Sequence, residues 1–103
     1  MDIRDIIRAV DARNYRITHH ADEEAQNDDL DLEGIFYSVR HGEVIENYPE
    51  DRPHPSCLIY GTNADGESIH SVWAYAEVNQ QAILVTVYRL DPMRRINWQE
   101  RRT

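Results

Sequence analysis

Apolar positions fall into two rhythms along this chain, and the change between them marks out the fold. Ile3, Ile6, Ile7 and Val10 recur at i, i+3, i+4 and i+7, one stripe of an amphipathic helix. "NYRIT" breaks that stripe and allows a short extended piece. Thr18 can then cap a second helix, with Ala21 and Ala25 on one side and acids in its first turn, where the helix dipole favours them. Leu32, Ile35, Phe36 and Val39 repeat the helical spacing, with Asp31 as N-cap, Gly42 just past the end and Gly34 inside, where it allows close packing.

After Gly42 the period becomes two. "EVIENY" reads as a strand, "PEDRPHP" as a proline-rich loop, and "SCLIYG" as a second strand. "TNADGE" is a turn around Asp65-Gly66, "SIHSVWAYA" a third strand and "EVNQQ" a turn. "AILVTVYRL" is apolar on both faces, which places it centrally, and Asp91-Pro92 ends it. Helices followed by a meander predict one α+β domain over residues 1–103, with two or three N-terminal helices on one face of a four-stranded antiparallel sheet. Turns centred near Ala64 and Asn79 put His70 opposite Leu58 and Tyr88. They place Cys57, Ile59, Ile69, Trp73, Ile83, Val85 and Val87 beneath the helices. Leu58, Tyr60, His70, Val72, Leu84, Thr86 and Tyr88 then share the other face. A one-residue slip would exchange the two sets within a strand.

Charge changes this picture in one respect. The net charge is −8, and all eleven basic Lys-plus-Arg positions are Arg. Residues 19–51 carry eleven acids against Arg40, while residues 89–103 carry five Arg against two acids. A polyanion is repelled at long range, so a nucleic-acid site must be local, and the C-terminal Arg cluster is a candidate. The acidic middle is either a solvated face or a surface for a basic partner. The longest apolar run is too short to cross a bilayer, no leader pattern opens the chain, and lone Cys57 leaves no internal disulfide. A cytoplasmic protein with no membrane partner is expected.

Two histidine settings could carry chemistry. His19 and His20 open the second helix, where the dipole favours neutral imidazole. His19 and Glu23 share a face, but the zinc-protease spacing is absent, so no metal or other cofactor is expected. A structural reading has one of these histidines exposed and the other packed on the sheet. The second setting is His70, with Tyr60, Tyr88 and Arg89 predicted nearby. A base, an acid and a guanidinium suffice to cleave RNA without metal; the same side chains could equally form a hydrogen-bonded polar edge. Cys57 lacks a partner for nucleophilic chemistry beyond loop residue His54.

"ITHHADEEAQNDDLDLEGIFYSVRHGEVIENYPEDRPHPSCLIYG", followed by "IHSVWAY" and "ILVTVYRLDP", resembles a bacterial family, domain of unknown function 4258, over roughly residues 16–92. Its members resemble RelE/MqsR-type toxins, some encoded beside zinc-finger antitoxins. The resemblance implies a ribonuclease-like α+β fold, an RNA-cleaving toxin (an mRNA interferase-like endoribonuclease) and an antitoxin partner. By position it carries over His20, His70 and Tyr88, to which the residue reading adds Tyr60 and Arg89. The alternative is a non-catalytic interaction module of the same fold, binding a basic protein through acidic helices whose stretch "DEEAQNDD" contains no Arg.

Overall fold

Three N-caps start three helices. In the computed structural model, which describes residues 1–90, Asp2 accepts from the Arg4 amide ahead of α1 (Ile3–Asp11). Thr18 accepts from the Ala21 amide ahead of α2 (His19–Asn27), and Asp31 from the Gly34 amide ahead of α3 (Leu32–Arg40). Each such cap is worth about 1 kcal/mol against alanine. The helices deliver Ile6, Val10, Ala21, Ala25, Ile35, Phe36 and Val39 to one core. None of the described helices is long and apolar enough to cross a membrane.

The strands are β1 (Tyr15–Ile17), β2 (Glu43–Tyr48), β3 (Ser56–Thr62), β4 (Ser68–Ala76) and β5 (Gln81–Arg89), in the spatial order β1-β5-β4-β3-β2. The β2–β5 meander is antiparallel, as the period of two predicts. The four-stranded expectation is nevertheless corrected, because β1 adds a fifth strand parallel to β5 and makes the sheet mixed. Three residues are too few to display a period. What holds them is tertiary: Asn14 donates its amide to the Asn79 and Gln80 carbonyls and accepts from the Ala82 amide. With β1 on its flank, β5 is an interior strand, but β4 is the middle one.

A β-bulge corrects the faces. Val72 pairs with Thr86, whereas Trp73 pairs with Leu84, leaving Val85 as the extra residue. Below the bulge the alternation of β5 is therefore inverted. Ala82 and Leu84 join the helix-side core with Trp73, while Ile83, expected there, joins Ala74 and Ala76 in a separate cluster, and Val85 is exposed. The β3–β4 turn is centred on Asp65 rather than Ala64, so His70 pairs with Tyr60, and Leu58 with Val72. That shift is two residues and keeps every side chain on its expected face.

Helix α3 sits on the sheet through backbone contact. A Cβ on Gly61 would overlap the Ser38 carbonyl, and one on Gly42 would lie 2.5 Å from both the Ser38 and Tyr60 carbonyl oxygens. These glycines set how closely the helix approaches β3, and Phe36 then reaches Tyr15 and Trp73, with ring centroids 5.0 and 6.4 Å away. Gly61→Ala should cost about 2–3 kcal/mol in urea unfolding, because α3 must lift. Gly66→Asn, at φ 82° with open space around it, should cost no more than about 0.5 kcal/mol. Equal costs would mean that the α3–β3 approach is not tight.

Candidate functional site

Three strands bring three rings into a row on the face away from the helices. Tyr60 on β3 pairs with His70 on β4, and His70 with Tyr88 on β5. The Tyr88 hydroxyl lies 3.0 Å from His70 Nδ1. Both tyrosines meet the imidazole edge-on, with centroids 5.9 Å (Tyr60) and 5.4 Å (Tyr88) away. His70 is only 1% exposed, while both tyrosines are partly exposed. The buried ring thus presents its chemistry through Tyr88, whose phenol can donate to a neutral Nδ1.

Arg89 does not share this row. Successive strand residues point to opposite faces, and Arg89 pairs with Ile69, a helix-side core residue. Its guanidinium donates to Glu67 at 2.8 Å, and its backbone N–H donates to Asp28 at 2.8 Å. The Glu67 carboxyl is held below its ordinary range by the Asn63 amide first and by Arg89 second. His20 stands beside the sheet. Its Nε2 is 3.1 Å from Glu24, and Glu24 accepts from the Thr86 hydroxyl, two residues before Tyr88. His19 reaches Glu23 in the same way, and both histidines are largely exposed, so neither packs on the sheet. The remaining Arg of the C-terminal cluster lie outside the described residues.

A family model described as Domain of unknown function (DUF4258) matches residues 17–89, more than two thirds of the chain, covering the last residue of β1 and all of α2 through β5. The chain belongs to the DUF4258 family. No curated protein and no solved structure matches it. The DUF4258 match contains the whole His70 row, the His20–Glu24–Thr86 link and both glycines under α3.

Two groupings in this DUF4258 domain were beyond sequence reasoning. Arg16, Arg52 and His54 meet around one cavity although 38 residues separate the outer two. Asp29, Asp31, Glu33, Asp65 and Glu67 line another, beside Tyr37. Both depend on loops whose paths no periodicity reports. Among the described residues no cluster of three or more His, Cys, Asp or Glu is arranged to hold a metal ion. Cys57 is fully buried in the helix-side core, and burial pushes its thiol up to about 11. The thiolate is the reactive form, so the folded protein should resist iodoacetamide at about pH 8 and react once unfolded in urea. Rapid labelling of folded protein would show that Cys57 is accessible.

Proposed function

We propose that this domain is a metal-independent endoribonuclease of the toxin type, a RelE/MqsR-like relative acting on RNA in the cytoplasm and restrained by an antitoxin protein. The observation that carries the reading is the 3.0 Å Tyr88 hydroxyl to His70 Nδ1 contact within a three-ring row. Burial of His70 recasts its role. Tyr88 takes the proton of an RNA 2′-hydroxyl while passing its own to His70 Nδ1. The 2′-oxygen then bonds to phosphorus, the bond from phosphorus to the 5′-oxygen breaks, and that oxygen takes a proton from Tyr60. The products are a 2′,3′-cyclic phosphate and a 5′-hydroxyl. Tyr60 makes no hydrogen bond among the described residues apart from its backbone ladder, which leaves its phenol available. His20 assists from the edge, through Glu24, by holding Thr86 beside Tyr88. Arg89, engaged by Glu67 on the opposite face, has a structural role in this scheme.

Induced expression in a bacterial host should arrest growth, and His70→Ala should relieve the arrest. Tyr88→Phe keeps the ring and its packing, and should slow RNA cleavage by about 10²–10⁴-fold. Harmless expression of the wild type, together with RNA left intact by purified, antitoxin-free protein, would reject the proposal.

A second reading has its own observation. Five carboxylates and the exposed ring of Tyr37 line a groove of about 320 Å³ between the α2–α3 connection and the β3–β4 turn. That groove suits an Arg-rich segment of a partner, through charge and cation–π contact. Glu24 and Asp28 are already engaged by β5, so the acidic surface open to a partner centres on the groove. The combined change Asp29→Asn, Glu33→Gln and Asp65→Asn should weaken binding of an Arg-rich peptide at low salt by about tenfold. Unchanged affinity would dismiss an acidic docking surface here.

A further inference from the structure

The face that carries the His70 row also carries a second, chemically different site. A cavity of about 210 Å³ opens where the 51–54 loop meets the outer ends of β4 and β5. Ala74, Ile83 and Val85 line it with apolar surface. Ala74 and Ile83 are buried, and Val85 is the exposed bulge residue. Arg16, Arg52 and His54 add basic groups to the same cavity.

Those groups are available for a ligand. Among the described residues neither Arg16 nor Arg52 forms an ion pair, whereas Arg4, Arg8, Arg40 and Arg89 each do. The cavity's one carboxylate, Asp51, accepts from the Ser56 hydroxyl at 2.5 Å. The Thr18 hydroxyl is also committed, donating to the Val85 carbonyl and accepting from the Ala21 amide. Two uncommitted guanidiniums and an imidazole therefore face one occupied carboxylate, in a chain whose net charge is −8. Guanidinium forks match phosphate oxygens, and an imidazole has an N–H to donate in either protonation state. An apolar floor beside a few convergent donors suits the flat face of a base or ribose attached to that phosphate.

We propose that this cavity is a phosphate-binding subsite for single-stranded RNA; the RNA assignment rests on the ribonuclease reading above. Ala74 and His70 are four residues apart on β4, a strand span of about 13 Å. The subsite thus holds a phosphate upstream or downstream of the one that reacts, and the strand of RNA runs along the outer face between them. Its cations give an acidic protein the local attraction for RNA that its net charge denies it.

The test uses the full chain and a short, fluorescently labelled, 2′-O-methylated single-stranded RNA, which lacks the attacking hydroxyl and reports binding without cleavage. Arg16→Gln and Arg52→Gln should each weaken binding about five- to tenfold, and each should reduce the slope of log affinity against log salt by about 0.7. Val85→Glu, which places a carboxylate at the exposed bulge, should abolish binding, with thermal unfolding confirming that all three variants fold. Wild-type affinity in the Arg16→Gln/Arg52→Gln double variant and in Val85→Glu overturns the subsite, even if the wild type cleaves unmodified RNA. Loss of binding in those variants, with unmodified RNA left uncut by the wild type, supports the subsite while the ribonuclease reading falls. Inorganic phosphate binding as tightly as the oligonucleotide would make this a free-phosphate site and overturn the RNA assignment.

Discussion

One extra residue in β5 decides which side chains this sheet shows to the helices and which to the outside. Val85 is bulged between Thr86, opposite Val72, and Leu84, opposite Trp73. Above the bulge, Thr86 and Tyr88 lie on the outer face; below it, Ile83 does, while Leu84 and Ala82 complete the helix-side core. A regular strand would bury Val85 and turn Leu84 outward. Thr18 secures the irregularity, because its hydroxyl donates to the Val85 carbonyl and its amide donates to the Leu84 carbonyl. The same hydroxyl accepts from Ala21 and so starts α2. Strand β1, the bulge and helix α2 are thereby joined at one residue, and a carbonyl that the bulge removes from the ladder keeps a partner.

The two ends of the outer face follow from that junction. Above it, the regular antiparallel register carries Tyr60, His70 and Tyr88 across three strands. Below it, the inverted alternation turns Ile83 outward beside Ala74, and the parallel strand β1 brings Arg16 to their flank. Tyr60, His70 and Tyr88 gather at one end and Arg16, Arg52 and His54 at the other. The acids are kept elsewhere: Glu67 and Asp28 anchor β5 from its helix-side end through Arg89, and the other groove carboxylates surround Tyr37. This separation leaves a basic patch on a chain of net charge −8, since screening confines each patch to a range of about 8–10 Å.

What could be read from the residues was whatever local periodicity and local chemistry control. Helix stripes and a four-strand meander announce themselves by spacing, by the caps Thr18 and Asp31, and by Asp65-Gly66, whereas the Asp2 cap of α1 shows only in the structure. The hairpin itself is centred between Val78 and Asn79 and, continued regularly, would set His70 opposite Val87; the extra residue at the bulge brings His70 to the predicted partner, Tyr88. Other features are long-range. Strand β1 is three residues held by Asn14 contacts to the far hairpin, and the bulge depends on Thr18, 67 residues from Val85. Arg89 was expected beside its neighbour Tyr88 because adjacency in sequence suggests proximity; strand alternation sends adjacent side chains to opposite faces. Burial of His70 likewise depends on the whole assembly, and it leaves the ring 1% exposed with its Nδ1 against the Tyr88 hydroxyl.

In the proposed reaction Tyr88 and His70 together move the proton of an RNA 2′-hydroxyl. Its most direct test is to identify the ends of RNA fragments released by the purified, antitoxin-free chain in the presence of a metal chelator. That reaction leaves 2′,3′-cyclic phosphate and 5′-hydroxyl ends, formed by the wild type and lost with Tyr88→Phe. Fragments ending in 5′-phosphate, cleavage that Tyr88→Phe leaves at full rate, or RNA that stays whole would contradict it.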